Sequence, residues 1–405
     1  MRLLLLNQFF HPDLAATAQL ATDLAEDLVV AGHEVTVVAT RGAYLGGGRL
    51  PARETWRGVR IERVWSTSLG KGSVLRRLAD YGTFYASAAW RLLTGPRPDL
   101  VVAMSTPPLV AALGAAARAW RGVPFVYWLQ DVYPELAVEL GVMRRGGLAH
   151  RCFEALARWT LRRTDGVVVL GEAMGERIAA KSYERSRIHV VPNWADGAAV
   201  TSLGHGGNAF RADHGLGDRR VVLYSGNMGR AHDLQTVLQV ARSMREAPEV
   251  VFVFIGDGHL RGEVEAAARE LPNVRLLPYQ PRERLTESLS AGDVHVVTQR
   301  DEVLGLVEPS KLYGALAVGR PVLYVGPAGS EAARTIQVEG LGEVVAVGDA
   351  VGARAALERL LARPAGDAAR IRAVFEARYD RRHRTAALEQ VLSAVAAGRP
   401  APRKG

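Results

Sequence analysis

Glu302-Val-Leu-Gly-Leu-Val-Glu-Pro-Ser-Lys-Leu-Tyr-Gly-Ala-Leu-Ala-Val-Gly-Arg-Pro-Val322 joins a loop rich in acid, glycine, serine and lysine to an alanine-rich helical run that stops at Gly319-Arg-Pro321. Pro309 disfavours helix at Glu308 and is tolerated in a helix's first turn, so Ser310 and Lys311 are expected to open the helix with unpaired amides facing out. A helix start of this kind attracts an anion, the lysine adds a point charge, and neighbouring carboxylates are placed to hold sugar hydroxyls. The pattern implies a phosphate cradle for a sugar nucleotide, set at the strand-to-helix turn of a parallel α/β sheet.

Around this loop, short apolar runs alternate with helical periodicity. Val221 to Ser225, Val250 to Ile255, Val274 to Leu277, Val294 to Thr298, Pro321 to Val325 and Gly342 to Val347 are read as strands spaced by helices. The same cycle appears earlier, at Arg2 to Leu6, Glu34 to Ala39, Val59 to Val64, Leu100 to Met104, Phe125 to Trp128 and Gly166 to Leu170, with a helix predicted over Ala15 to Ala31. Two doubly wound domains with parallel sheets are therefore expected, at 1–190 and 220–366. The Gly- and Pro-rich stretch 191–219 is read as a linker, 367–397 as a terminal helical segment, and 398–405 as a basic tail. In open parallel sheets ligands sit beyond the carboxyl ends of the strands, so two such domains are expected to face each other across a ligand-binding cleft.

Bulk composition agrees with two cores. The 405 residues are 48% hydrophobic and 23% charged, which suits two domains of ordinary size better than one overgrown core. One cysteine, Cys152, excludes an internal disulfide. The apolar run Leu3 to Leu6 is too short for a signal sequence and no run approaches the roughly 20 residues of a spanning helix, so a cytoplasmic protein is expected. The formal charge of +9 favours anionic partners without choosing between phosphorylated metabolites, lipid surfaces and nucleic acid.

Further candidate residues lie where predicted strands end. After the first strand come Asn7, Gln8 and His11, with Thr17 among small residues opening the next helix; this is not the G-x-G-x-x-G dinucleotide fingerprint, which argues against NAD or FAD. Gln130 and Asp131 follow the strand ending at Trp128, where Asp131 serves either as a proton acceptor or as a first-turn helix charge. In the second half, Gly226, Asn227, Arg230 and His232 form a turn compatible with an anion. Gly256 and Asp257 form either a ligand turn or a helix cap, and Tyr279 stands where it can flank a base.

Taken in order, Gly32-His-Glu-Val-Thr-Val37, Gln130-Asp-Val-Tyr-Pro134, Val190-Val-Pro-Asn-Trp194, Tyr224-Ser-Gly-Asn-Met-Gly-Arg230, Gly256-Asp-Gly258 and Pro309-Ser-Lys-Leu-Tyr313 with Gly319-Arg-Pro321 resemble family 4 glycosyltransferases over nearly the whole chain. Within that family the chain is most similar to the branch acting in bacterial capsule, O-antigen and colanic-acid-type polysaccharide assembly. The resemblance implies a GT-B fold of two Rossmann-like domains, with the acceptor mainly in the first, a nucleotide diphosphate sugar in the second, and a final helix crossing back. It also implies hexosyl transfer with retention of anomeric configuration, no required metal or other cofactor, and a polyprenyl-linked or other glycan acceptor. Carried over by residue, Asp131 and Lys311 take the catalytic roles. The donor meets Gly226, Asn227, Arg230, His232, Gly256, Asp257, Tyr279, Glu308, Ser310, Lys311 and Leu312, and the acceptor meets Asn7, Gln8, His11, Thr17, Gln130 and Asp131.

The chain departs from the family at the ribose. Many members carry a fixed pair of glutamates ahead of the Gly-x-Pro-Val element, and counting back from Gly319 puts Leu306 and Gly314 at those places. Glu308 is then the nearest candidate for ribose. Two stretches, Lys71 to Arg91 and Arg144 to Arg163, mix basic and aromatic residues as interfacial helices do, and also as helices packing one face on a sheet do. Peripheral attachment at the inner face of the cell membrane follows from the first reading. A nucleotide-sugar 2-epimerase of the same fold and a nucleic-acid-binding protein are the alternatives; the second lacks a zinc pattern, basic repeat or RNA-binding aromatic motif.

Overall fold

Strands buried on both faces of a parallel sheet must be apolar along their whole length, and the chain supplies such runs twice. The computed structural model describes residues 1–13, 15–42, 48–67, 69, 74–181, 183–364 and 366–399, without the side chains of Val74, Leu75 and Arg77. Lys71, the side chain of Arg77 and residues 400–405 of the expected tail lie outside the described residues. The chain divides into two compact units, Met1–Pro192 with Arg384–Gly405, and Asn193–His383.

In the first unit the strands are β1 (Arg2–Leu6), β2 (Glu34–Thr40), β3 (Arg53–Trp56), β4 (Val59–Val64), β5 (Leu100–Ala103), β6 (Phe125–Trp128), β7 (Gly166–Val169) and β8 (Ile188–Val190). Among the described residues they form one sheet in the order β3-β4-β2-β1-β5-β6-β7-β8, parallel throughout except for the antiparallel β3–β4 edge pair. The helices are α1 (Ala16–Val30), α2 (Val74–Thr94), α3 (Ala111–Arg121), α4 (Glu135–Glu139), α5 (Leu148–Arg163) and α6 (Glu172–Ala179).

The second unit repeats the plan with β9 (Arg220–Ser225), β10 (Val250–Ile255), β11 (Val274–Leu277), β12 (Val294–Thr298), β13 (Val322–Val325) and β14 (Gly342–Val345), in the order β11-β10-β9-β12-β13-β14. Its helices are α7 (Ala209–Asp213), α8 (Gln235–Ser243), α9 (Arg261–Glu270), α10 (Leu285–Ser290), α11 (Lys311–Ala317), α12 (Glu331–Val338), α13 (Ala350–Leu361) and α14 (Asp367–Arg378); α15 (Arg381–Ala396) ends the described fold. In both sheets the first strand of the unit lies centrally and the chain winds outward on either side, so each sheet has a switch point, between β1 and β5 and between β9 and β12. Loops leaving adjacent strands there diverge and open a crevice.

Three details differ from the sequence reading. From Asn193 onward the expected linker packs into the second unit: Phe210 is fully buried, and the buried Arg211 guanidinium donates to the carbonyls of Gly217 (2.8 Å), Arg219 (2.6 Å) and Ala291 (2.6 Å). The first two carbonyls belong to the turn ahead of β9 and the third to the end of α10, so one buried guanidinium joins the glycine-rich stretch to the unit's core. The terminal helical segment is two helices, broken at Tyr379 and Asp380, where Ala195 and Asp380 form a parallel bridge. Beyond the break, Thr385 donates to Asp27 (2.7 Å) and Glu389 lies 3.2 Å from His33, which ties α15 to the first unit. Finally, the short edge strands β3 and β8 had no counterpart in the apolar pattern.

Candidate functional site

At the switch point of the second sheet two glycine turns nest. The turn after β9 begins at Gly226 and the turn after β10 at Gly256, with φ of 129° and 135°. A Cβ on Gly256 would stand 2.2 Å from the Gly226 carbonyl oxygen, and one on Gly226 would stand 3.0 Å from Cε of Lys311. Backbone hydrogen bonds lock the turns together: Gly226 N–H to Ile255 O (2.8 Å), Met228 N–H to Asp257 O (2.8 Å) and Leu260 N–H to Met228 O (2.9 Å). Main chain lines this floor, braced by Tyr224 OH on the Asn227 carbonyl and Arg261 on the Gly256 carbonyl, and Asn227, Arg230 and Asp257 are exposed around it.

Lys311, the first residue of α11, reaches across the switch point to the β9 turn. Its Nζ lies 2.9 Å from Nε2 of His232 and 5.0 Å from the centroid of the Tyr224 ring. Nδ1 of His232 lies 2.7 Å from the carbonyl oxygen of Thr298, which only accepts, so Nδ1 carries the imidazole proton and Nε2 accepts from the lysine. Burial, with the neighbouring ammonium, holds His232 down to about 3, and burial draws Lys311 down to about 7. Among the described residues no other hydrogen bond or ion pair reaches the Lys311 ammonium, so its remaining N–H donors are left for solvent or a ligand.

The loop carrying Lys311 is held from below. Gln299 Nε2 donates to Val307 O (2.8 Å), Tyr324 OH donates to Gln299 Oε1 (2.7 Å), and Ser330 Oγ lies 2.7 Å from Tyr324 OH. Ser310 is the N-cap of α11 but makes no side-chain capping bond, and Tyr279 is 39% exposed at the end of β11.

Two expected donor residues turn their side chains inward. Leu312 packs its side chain into the apolar core beneath α11, because the helix must bury that face. Glu308 is buried and turned to the start of α12, where the Glu331 N–H lies 3.5 Å from Oε1; burial pushes its carboxyl up to about 7, offset in part by the amides of Glu331 and Ala332. Its Oε1 faces that helix start, while Oε2 is buried without a hydrogen-bond partner among the described residues. Gly314 leaves room: a Cβ there would meet Leu289 Cδ1 at 3.4 Å, an ordinary contact.

In the first unit the predicted residues gather at the other switch point. Asn7 and Gln8 follow β1 and are buried; Asn7 Nδ2 donates to Phe9 O (2.7 Å) and the Gln8 N–H donates to Thr106 O (2.8 Å). Ser105 Oγ accepts from the amides of Gln130 (3.2 Å) and Asp131 (3.1 Å) and lies 3.5 Å from Asp131 Oδ2. Burial raises the Asp131 carboxyl to about 6, with Ser105 acting against the shift. Thr17 is half-buried in the first turn of α1, whereas His11 stacks on Trp56 of β3 at 3.9 Å between ring centroids.

The raised Asp131 fixes a pH dependence. Between the ordinary carboxylate range and about pH 6 the folded chain keeps a proton that the unfolded chain has lost, so this group makes stability fall as pH rises through that window and stay lowered above it. Asp131→Asn is therefore expected to raise Tm at pH 7.5 by on the order of 2–4 °C and to leave it unchanged at pH 4. Calorimetry at the two pH values checks it; an equal Tm at pH 7.5 would show that the carboxyl is not held out of water.

Both switch points thus carry polar groups, one basic and one acidic. Residues 16–194 match the family model described as a glycosyl transferase 4-like domain, and residues 208–374 match that of glycosyl transferases group 1. The chain belongs to the glycosyltransferases. This glycosyltransferase is 28% identical over 334 residues to WcaI of Escherichia coli (strain K12), named for colanic acid biosynthesis, a match covering 79% of this chain and 82% of that protein. It is 30% identical over 249 residues to the glycosyltransferase WbjE of Pseudomonas aeruginosa, covering 61% of this chain and 62% of the other.

Solved structures share the fold. Anabaena HepE in complex with UDP-glucose aligns with a TM-score of 0.71 at 16% identity, covering 97% of this chain and 100% of that one. Sucrose-phosphate synthase from Thermosynechococcus elongatus aligns with a TM-score of 0.76 at 18% identity, covering 98% and 100%. The glycosyltransferase therefore has the GT-B fold. Sequence reasoning missed Tyr224, Ser105, Gln299 and the Thr298 carbonyl, which hold its polar groups in place. The signal was available for Gln299 and Ser105, polar residues just beyond apolar strands.

Proposed function

We propose that this glycosyltransferase moves a sugar from a nucleotide diphosphate sugar to a lipid-linked glycan acceptor in cell-surface polysaccharide assembly, with retention of anomeric configuration. The observation that carries the donor reading is the half-buried Lys311 ammonium with unspent N–H donors above the nested turns. A buried cation without a counter-ion is costly, and a diphosphate supplies the missing charge. The second unit is assigned to the donor and the first to the acceptor, with Asp131 orienting its hydroxyl. In the transfer the bond from the anomeric carbon to the diphosphate oxygen breaks, the acceptor oxygen bonds the same face, and its proton passes to the departing diphosphate. Lys311 stabilises the charge that develops there. The polysaccharide setting draws on WcaI and on WaaG, named as a glycosyltransferase involved in lipopolysaccharide biosynthesis.

Thermal-shift screening against UDP, GDP, dTDP and ADP sugars, followed by assay of nucleotide release with and without glycolipid acceptor, tests the reading. Stabilisation by one nucleotide class and release that depends on acceptor are expected; conversion of the donor alone would make the enzyme an epimerase. Gly314→Glu asks whether α11 faces ribose. It should add about 1 kcal/mol of helix stability and lower donor KM severalfold; a raised Tm with unchanged KM places ribose elsewhere.

Peripheral membrane attachment belongs to the same proposal. Phe84 of α2 packs inward, but Trp90 is 71% exposed and Leu148 of α5 81% exposed, with Arg144, Arg151 and Arg158 on the surface beside the latter. Among the described residues no helix is long and apolar enough to cross a membrane. Flotation with anionic liposomes at low salt is expected, and its absence there would remove this part.

A further inference from the structure

We infer that His232 does not touch the donor but positions Lys311, and that binding of a diphosphate loads a proton onto that lysine. The inference rests on the donor reading above and deepens it. His232 has nothing to offer an anion: its one N–H is spent on the Thr298 carbonyl at 2.7 Å, and Nε2, 2.9 Å from Lys311, presents a lone pair. A histidine tied in this way is an acceptor strut. It fixes the amine against the Tyr224 ring, whose own hydroxyl donates to Asn227 O at 2.8 Å, and turns the remaining lysine donors away from the protein.

Among the described residues no carboxylate pairs with the amine. From the turn after β9 it is faced by His232, with Arg230 exposed nearby, and from β9 by Tyr224. β12 contributes the Thr298 carbonyl through His232. In the turn after β10, Asp257 is exposed and its Oδ1 accepts from the Gly258 N–H at 2.8 Å. In the loop before α11, Glu302 pairs with Arg300 at 3.0 Å and Glu308 turns to α12; beyond β11 there is the half-exposed Tyr279. Burial without a counter-charge makes the neutral amine the favoured form near neutral pH, in agreement with its drawn-down pKa of about 7. A diphosphate brings the missing negative charge, so protonation and binding become linked.

Calorimetric titration of the full-length protein with UDP at pH 8, in buffers of different ionisation enthalpy, counts the protons taken up. UDP itself is fully ionised there. The expected uptake is roughly 0.9 proton per UDP, falling to near zero in Lys311→Met. UDP affinity should decline about tenfold per pH unit above pH 7. His232→Leu should weaken UDP about tenfold as the amine loses its strut, and His232→Gln, which keeps an acceptor, should recover most of the loss. UDP binding without proton uptake, uptake that survives in Lys311→Met, or unchanged affinity in His232→Leu overturns the inference while leaving the donor reading standing. Failure of UDP, GDP, dTDP and ADP alike to bind takes down both.

Discussion

Replacing Lys311 with methionine is expected to lower kcat/KM for the donor by roughly 10- to 100-fold, the equivalent of one buried ammonium–phosphate hydrogen bond at about 1.5–3 kcal/mol. Methionine has similar length and fills the same space above Tyr224, so the crevice keeps its shape. The substitution also relieves a buried charge. Because the folded chain holds Lys311 at about 7, well below its ordinary range, the unfolded chain binds the extra proton between there and the ordinary lysine range. The penalty is thus complete below about pH 7 and fades as pH rises toward 10.5. Lys311→Met should accordingly melt higher than the parent at pH 6.5, with the difference shrinking by pH 9.5. A steady-state donor titration beside calorimetry at those pH values checks both halves. Lost activity with a lowered Tm would mean that the lysine is a structural prop, and unchanged kinetics would move the phosphate elsewhere.

Gly256→Ala is the second large effect. The added methyl would meet the Gly226 carbonyl at 2.2 Å, and the backbone at φ 135° is one that alanine adopts only under strain. Strain and overpacking together put the cost at roughly 2–5 kcal/mol. Relief requires the turns after β9 and β10 to separate, which carries the Gly226 turn away from Lys311, so nucleotide affinity should fall with stability. Gly314→Ala is the control, since its methyl meets only an ordinary contact and a helix interior favours it. Equal melting and equal UDP affinity for Gly256→Ala and the parent would show that the nested turns do not form the floor of the site.

The residues legible in the sequence were those whose burial is a local property. Val250–Ile255 is buried at every position, as a central parallel strand must be, and its apolar run announces it. β3 escaped notice because an antiparallel edge strand, Arg53-Glu-Thr-Trp56, is half-exposed and polar, and β8 because it is only half-buried. Residues 193–219 misled because glycines read as slack, whereas the buried Arg211 side chain of the same stretch binds the carbonyls of Gly217 and Arg219. At the site, register placed Lys311 at a helix start but could not show that it meets a histidine 79 residues away. Nor does composition reveal which way a carboxyl turns, and Glu308 turned to α12.

The two compact units bear on how donor preference could be transplanted. The first unit holds both ends of the chain, and the second, Asn193–His383, is an insert within it. A chimera spliced at one junction near Pro192 would import a foreign C-terminal helix, and the Thr385–Asp27 and Glu389–His33 contacts would then rely on chance matches. A graft with two seams, after Pro192 and before Arg384, keeps those contacts native while exchanging every loop of the second sheet. If the second unit holds the donor as proposed, donor choice is inherited as an internal cassette rather than as a C-terminal half.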